Sequence, residues 1–117
     1  MSNAIIDGMP TGTWGGQHIG MEVTDNGARI EYDCAHGTIN HQIVPDDSGK
    51  VEAKGIHVKE HGGPVREGEE PESHPARYSG HTDGKTMTLM ITLTDTNESI
   101  GTFTLGYGKH PRITKCL

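Results

Sequence analysis

The sequence predicts an all-β domain: a single antiparallel meander of eight short strands closed into a barrel, lipocalin- or avidin-like in plan. Three observations carry this expectation. Apolar residues recur with a period of two, turn-forming clusters follow one another at close intervals, and no stretch shows a helical pattern. The chain has 117 residues, of which 31% are hydrophobic and 17 are glycine. Such a lean composition excludes a coiled coil, a Leu-rich helical bundle and a membrane-spanning helix, since no apolar run approaches about 18 residues. The net charge of −6 argues against nucleic-acid binding, which usually needs a basic stripe.

Residues 1–10 read as a short tail led by a cloning remnant, Ser2-Asn3-Ala4 after Met1, and residues 11–117 as the barrel domain. Thr11 to Gly16 opens the first strand, and residues 17–24 place Ile19, Met21 and Val23 on one face. Asp25-Asn26-Gly27 follows as a hairpin turn, Asn-Gly being suited to the positive φ angles of type I′. Residues 28–36 then align Ala28, Ile30, Tyr32, Cys34 and His36 against Arg29, Glu31 and Asp33. A further strand over 38–44 puts Ile39, His41 and Ile43 in phase, so His36 and His41 are expected to face the interior from either side of a hairpin at Gly37. Pro45 to Gly49 is a turn cluster.

In residues 50–60, Val51, Ala53 and Gly55 share one phase while Ile56 and Val58 take the other, which predicts a β-bulge at Gly55. Residues 62–75 hold three prolines, three glycines and four glutamates and read as a long acidic loop. The next strand, 76–81, points Ala76, Tyr78 and Gly80 inward. The clearest hairpin joins 85–95, with Met87, Leu89, Ile91 and Leu93 on one face, to 99–107, with Gly101, Phe103, Leu105 and Tyr107 on one face. Arg112–Leu117 supplies the final strand.

The Gly12-Thr13-Trp14 opening resembles that of lipocalins, avidins and the small barrel inhibitors of bacterial metalloproteases. This resemblance implies that Trp14 is structural, packing across the barrel base. A wider set, Trp14-Gly15-Gly16, Asp33-Cys34-Ala35-His36-Gly37, Gly62-Gly63-Pro64-Val65 and Lys115-Cys116-Leu117, resembles a family of small bacterial proteins of unknown function. It implies a compact barrel over about residues 11–117 and brings no activity.

Chemistry-bearing motifs are few. His57-Val58-Lys59-Glu60-His61 matches the His-x-x-Glu-His pattern of inverted zinc peptidases, but that motif needs a helix. On a strand the two imidazoles lie roughly 13 Å apart at about 3.3 Å per residue, too far to share a zinc. No metal, cofactor or catalytic residue is assigned, and the chain is not expected to be an enzyme. Cys34 and Cys116 suit either a structural disulfide or two buried thiols. The bridge is the expected state; it would contribute about 4–5 kcal/mol in the chain-entropy model and place the protein in an oxidising compartment, periplasmic or secreted, with its leader absent from this sequence. The expected function is non-enzymatic binding of a small apolar or amphipathic ligand at an open barrel mouth, with Tyr32, His36, His41, Tyr78 and Tyr107 as lining residues. The alternative is an interaction or inhibitor module acting on a secreted protein partner through the 62–75 loop or the N-terminal segment.

Overall fold

A computed structural model of the protein describes residues 9–59 and 72–114. Eight strands form a closed antiparallel meander in which each strand pairs with its sequence neighbours and the last pairs with the first. They are β1 (Gly12–Gly16), β2 (Ile19–Thr24), β3 (Gly27–Tyr32), β4 (Ala35–Ile39), β5 (Lys50–Lys59), β6 (Glu72–Thr82), β7 (Thr86–Leu93) and β8 (Ser99–Tyr107). Closure leaves no unpaired edge, so the barrel interior is the core. A lean composition suffices because only alternate residues need to be apolar. Inward positions hold Trp14, Ile19, Ile30, Ile39, Tyr78, Leu89, Ile91, Leu93 and Leu105, all nearly or fully buried.

Several strand boundaries differ from the sequence expectation. The run 28–36 is two strands, because the chain reverses at Asp33-Cys34 and pairs Glu31 with His36. The hairpin is therefore at Asp33-Cys34 and not at Gly37. A two-residue connection exchanges parity: Tyr32 points inward on β3, and on β4 the inward residues are Ala35, Gly37 and Ile39. His36 consequently takes the outer face. At Asp25-Asn26 the turn sits as expected, yet Asn26 lacks the positive φ of a type I′ turn.

No bulge occurs at Gly55. The β5–β6 register runs unbroken from Lys50↔His81 to Lys59↔Glu72, so His57 stays in phase with Val51, Ala53 and Gly55. Ile56 is left outside, 40% exposed, while His57 is 2% exposed. The register irregularity lies instead between Ile91 and Thr92, where β7 meets β8. Of the expected 62–75 loop, residues 72–75 belong to β6 and the others lie outside the described residues.

The final strand expected from Arg112 onward is not formed by the described residues 112–114. Arg112 makes a single parallel bridge to Gln17, its amide donating to Gly16 O at 3.1 Å while its carbonyl accepts from the His18 amide at 2.9 Å. Residues 109–112 thus lie as a strap on the outside of the β1–β2 hairpin. Gly15 explains the position of the strap: a Cβ there would collide with the backbone of Lys109–Pro111. In the Trp14-Gly15-Gly16 run, Trp14 turns its ring inward, Gly15 leaves backbone bare for the strap, and Gly16 lies against the Thr104 backbone of β8. Residues 115–117 lie outside the described residues.

Candidate functional site

The two barrel ends are built from different residues. At one end β8 finishes beside β1. Trp14 is fully buried there, its Nε1–H donates to Pro10 O at 3.1 Å, and its ring centroid is 5.2 Å from that of Tyr107. The Met9 amide donates to Ile43 O at 3.0 Å, and both side chains join the core. The tail residue Met9 therefore belongs to the packed domain. Every polar group named at this end has a partner; Tyr107 itself is 45% exposed on the rim and donates its hydroxyl to Thr11 O at 2.6 Å.

Among the described residues, the opposite end, the mouth, is framed by the β1–β2 turn at Gln17-His18, the Asp33-Cys34 turn and the β7–β8 connection; the β5–β6 connection at the same end lies outside the described residues. The mouth opens into a pocket of about 370 Å³. Tyr32, His57, Phe103, Ile100, Ala35 and Lys59 line it, with His18, Asp33 and Cys34 at the rim. The Tyr32 ring stacks at a tilt against His57 at 5.4 Å and against Phe103 at 5.6 Å. At the rim, His18 Nδ1–H donates to Asp33 Oδ2 at 2.6 Å, and the Thr114 amide donates to Asp33 Oδ1 at 2.9 Å. This carboxylate pins the two-residue turn to the strap.

Two buried polar atoms at the pocket floor, the Tyr32 hydroxyl and His57 Nδ1, have no partner at full hydrogen-bond geometry, although the Tyr78 hydroxyl is close enough to Tyr32 to interact with it. Native proteins rarely leave such groups unpaired. Burial lowers the His57 pKa, with Lys59, His74 and His36 acting in the same direction and Glu98 against them, so the imidazole is neutral at neutral pH. Burial pushes the Tyr32 phenol far above its ordinary value, the neighbouring Tyr78 adding to the effect. Tyr78, deeper in the barrel, is pushed up to about 12 by burial. Its hydroxyl donates to Ile56 O at 2.6 Å, over Gly37, where any Cβ would strike the phenol oxygen. His74 pairs across the sheet with His57 and donates Nδ1–H to Asp95 Oδ2 at 2.7 Å, an interaction that holds Asp95 below the usual carboxylate range.

The five residues expected to line one site are dispersed. Tyr32 is at the mouth and Tyr78 is in the core, but Tyr107 is on the far rim. His36 is on the outer face for the parity reason given above. His41 lies beyond β4 and is exposed; its Nδ1–H donates to Gln42 O at 3.0 Å and its Nε2 accepts from the Lys54 amide at 3.2 Å. It pins the chain to the outside of β5 and does not face the interior. His57 was the residue missed. Its phase with Val51, Ala53 and Gly55 was visible, but the apolar pair Ile56 and Val58 pulled the reading to the other face. His61 lies outside the described residues, and among the described residues no group of three metal-ligating side chains converges. No helix of the described residues is long and apolar enough to cross a membrane.

The chain finds no match among known family models, curated proteins or solved structures. The mouth geometry therefore carries the functional argument alone.

Proposed function

We propose that the barrel mouth binds a small amphipathic molecule and that the protein is a non-enzymatic binding domain. The observation that carries this reading is the pair of unpartnered polar atoms, Tyr32 Oη and His57 Nδ1, buried beneath a pocket with apolar walls. Leaving each unpaired costs about 1–3 kcal/mol. A ligand that brings a polar group to the floor recovers part of that cost while burying its apolar body against Phe103 and Ile100. Both atoms are covered by the rings around them, so entry turns the rings; a half-turn of the His57 imidazole exchanges Nδ1 with a ring carbon. A pocket of a few hundred Å³ is the usual scale for one small ligand.

The test is a titration with N-phenyl-1-naphthylamine, a neutral fluorophore whose emission rises in apolar surroundings. Saturable enhancement at one site per chain is expected, and it should disappear in Ile100→Trp, whose indole fills the pocket. Absence of saturable binding, or binding indifferent to that substitution, overturns the reading.

The Cys34–Cys116 disulfide and an extracytoplasmic location belong to the same proposal. Cys116 lies outside the described residues. Two features support the bridge: Cys34 is not a free thiol, and the Thr114 amide is bonded to Asp33, bringing the chain beside Cys34 two residues short of Cys116. Non-reducing peptide mapping should recover one crosslinked Cys34–Cys116 peptide; two alkylatable thiols in the native protein would contradict it.

A further inference from the structure

Lys54 and Arg77 stand directly opposite one another on the outer face of β5 and β6, and both are exposed. Like charges in such a pair, with Cβ atoms about 4.5–5.5 Å apart, destabilise a sheet. The whole chain carries a net charge of −6, so the pairing is not the product of a generally basic surface. Beside the two cations β5 presents Lys50 and Glu52, β6 presents Ser79 and His81, and β7 presents Thr88, Met90 and Thr92. Glu52 is the one carboxylate among these, and its Oε1 stands 3.9 Å from Arg77 Nε. The other acidic groups around β5, β6 and β7 belong to connections. Asp46 is bonded to Ser48 and to the Lys50 amide, with Asp47 next to it. Asp83 accepts from the Lys85 and Thr86 amides, Asp95 is engaged by His74, and Glu98 stands between β7 and β8. The glutamates between β5 and β6 lie outside the described residues. Their connection leaves β5 at Lys59 and joins β6 at Glu72, each roughly 16 Å along its strand from the cationic pair at about 3.3 Å per residue.

A cleft of about 390 Å³ lies over this pair, walled by His41 and lined also by Glu52 and Ala53. The imidazole is fixed through both nitrogens, Nδ1–H donating to Gln42 O and Nε2 accepting from the Lys54 amide. It stands as a set wall and not as a third donor. We propose that this cleft, independently of the mouth, binds a small phosphorylated molecule, its phosphoryl group between Arg77 and Lys54 and its body against His41. A phosphomonoester has a second pKa of about 6 and three strong acceptor oxygens. Two of them suit the planar guanidinium fork, and the third suits the point charge of the ammonium. A single carboxylate meets only one of the two cations, as Glu52 does. That exposed contact contributes little, so a dianion displaces it. The cleft has the usual scale for one small ligand, and two cations converging on one point suit a compact dianion better than an extended acidic peptide, whose charges are spread along its length.

The experiment is an amide NMR titration of the full chain near pH 8, about two units above the phosphoryl pKa, with phenyl phosphate, with inorganic phosphate and with chloride at equal ionic strength. Saturable shifts are expected at the amides of His41, Lys54 and Arg77, at lower concentration for phenyl phosphate than for inorganic phosphate, and none with chloride. Lys54→Gln and Arg77→Gln should each weaken phenyl phosphate binding about tenfold, the scale of one charge-assisted hydrogen bond. Glu52→Gln should tighten it about threefold, the scale of the exposed ion pair that no longer competes. All three side chains are exposed, and the unshifted remainder of each variant's spectrum reports an intact barrel. Equal affinity for the two phosphates would overturn the assignment of an esterified ligand with its body in the cleft. Shifts that do not saturate, that chloride reproduces, or that Arg77→Gln leaves unaltered would overturn the site itself.

Discussion

The two ends of this barrel solve the same problem in opposite ways. At the Trp14 end, every named polar group is paired, and the indole, Met9 and Ile43 plug the interior. At the mouth, Tyr32 and His57 are buried beneath the pocket, Ile100 and Phe103 are half-buried, and two polar atoms have no partner at full hydrogen-bond geometry. The difference separates stability from binding: closing one end with a well-packed plug lets the other carry an imperfectly satisfied surface.

The largest expected effect comes from breaking the plug. Trp14→Ala should cost about 3–5 kcal/mol, the range for removing a fully buried large aromatic, read from urea unfolding followed by circular dichroism. A loss below about 1 kcal/mol would mean that the end does not depend on the indole. Next comes the layer between the ends. Tyr78→Phe removes one buried hydrogen bond to Ile56 and should cost about 0.5–1.5 kcal/mol in the same assay. At the mouth the sign changes: His57→Leu removes an unpaired buried nitrogen and should leave stability equal or slightly higher. A large loss in His57→Leu would show that the imidazole is structural and would erase the contrast between the ends.

The pH profile sharpens the contrast further. Burial, Lys59 and His74 lower the pKa of His57, so the unfolded chain takes up this proton first, near its ordinary value of about 6.5. The contribution to stability is therefore fully present above that pH and declines as pH falls towards the lower folded value. His57→Leu should flatten this part of the profile. A second decline belongs to the carboxylates. Asp46, Asp83 and Asp95 all sit below the usual range, held there by Ser48, by the Thr86 amide and by His74 respectively. Their contribution is present above about pH 4, is lost at still lower pH, and should survive His57→Leu unchanged.

The alternation of Met87, Leu89, Ile91 and Leu93 against threonine made β7 and the meander legible in the sequence. The Asp33-Cys34 reversal was not, because it contains no glycine, proline or asparagine; it is held by contacts to His18 and Thr114 that are 15 and 81 residues away. That one missed turn transferred His36 from the outer face to the inner one. At β5, Ile56 and Val58 argued locally for one face, and a ten-residue ladder with β6 imposed the other. Half of the site followed from sequence, since Tyr32 was in phase; His57 needed the register.

The chain has three tyrosines, Tyr32, Tyr78 and Tyr107, distributed between the mouth, the interior and the far rim. Ring-labelled tyrosine NMR during an octanol titration therefore tests the central claim directly. The account predicts that the Tyr32 ring resonances shift and saturate with ligand while those of Tyr107 stay fixed. A saturating shift at Tyr107 with Tyr32 unmoved would place binding at the plugged end and contradict it.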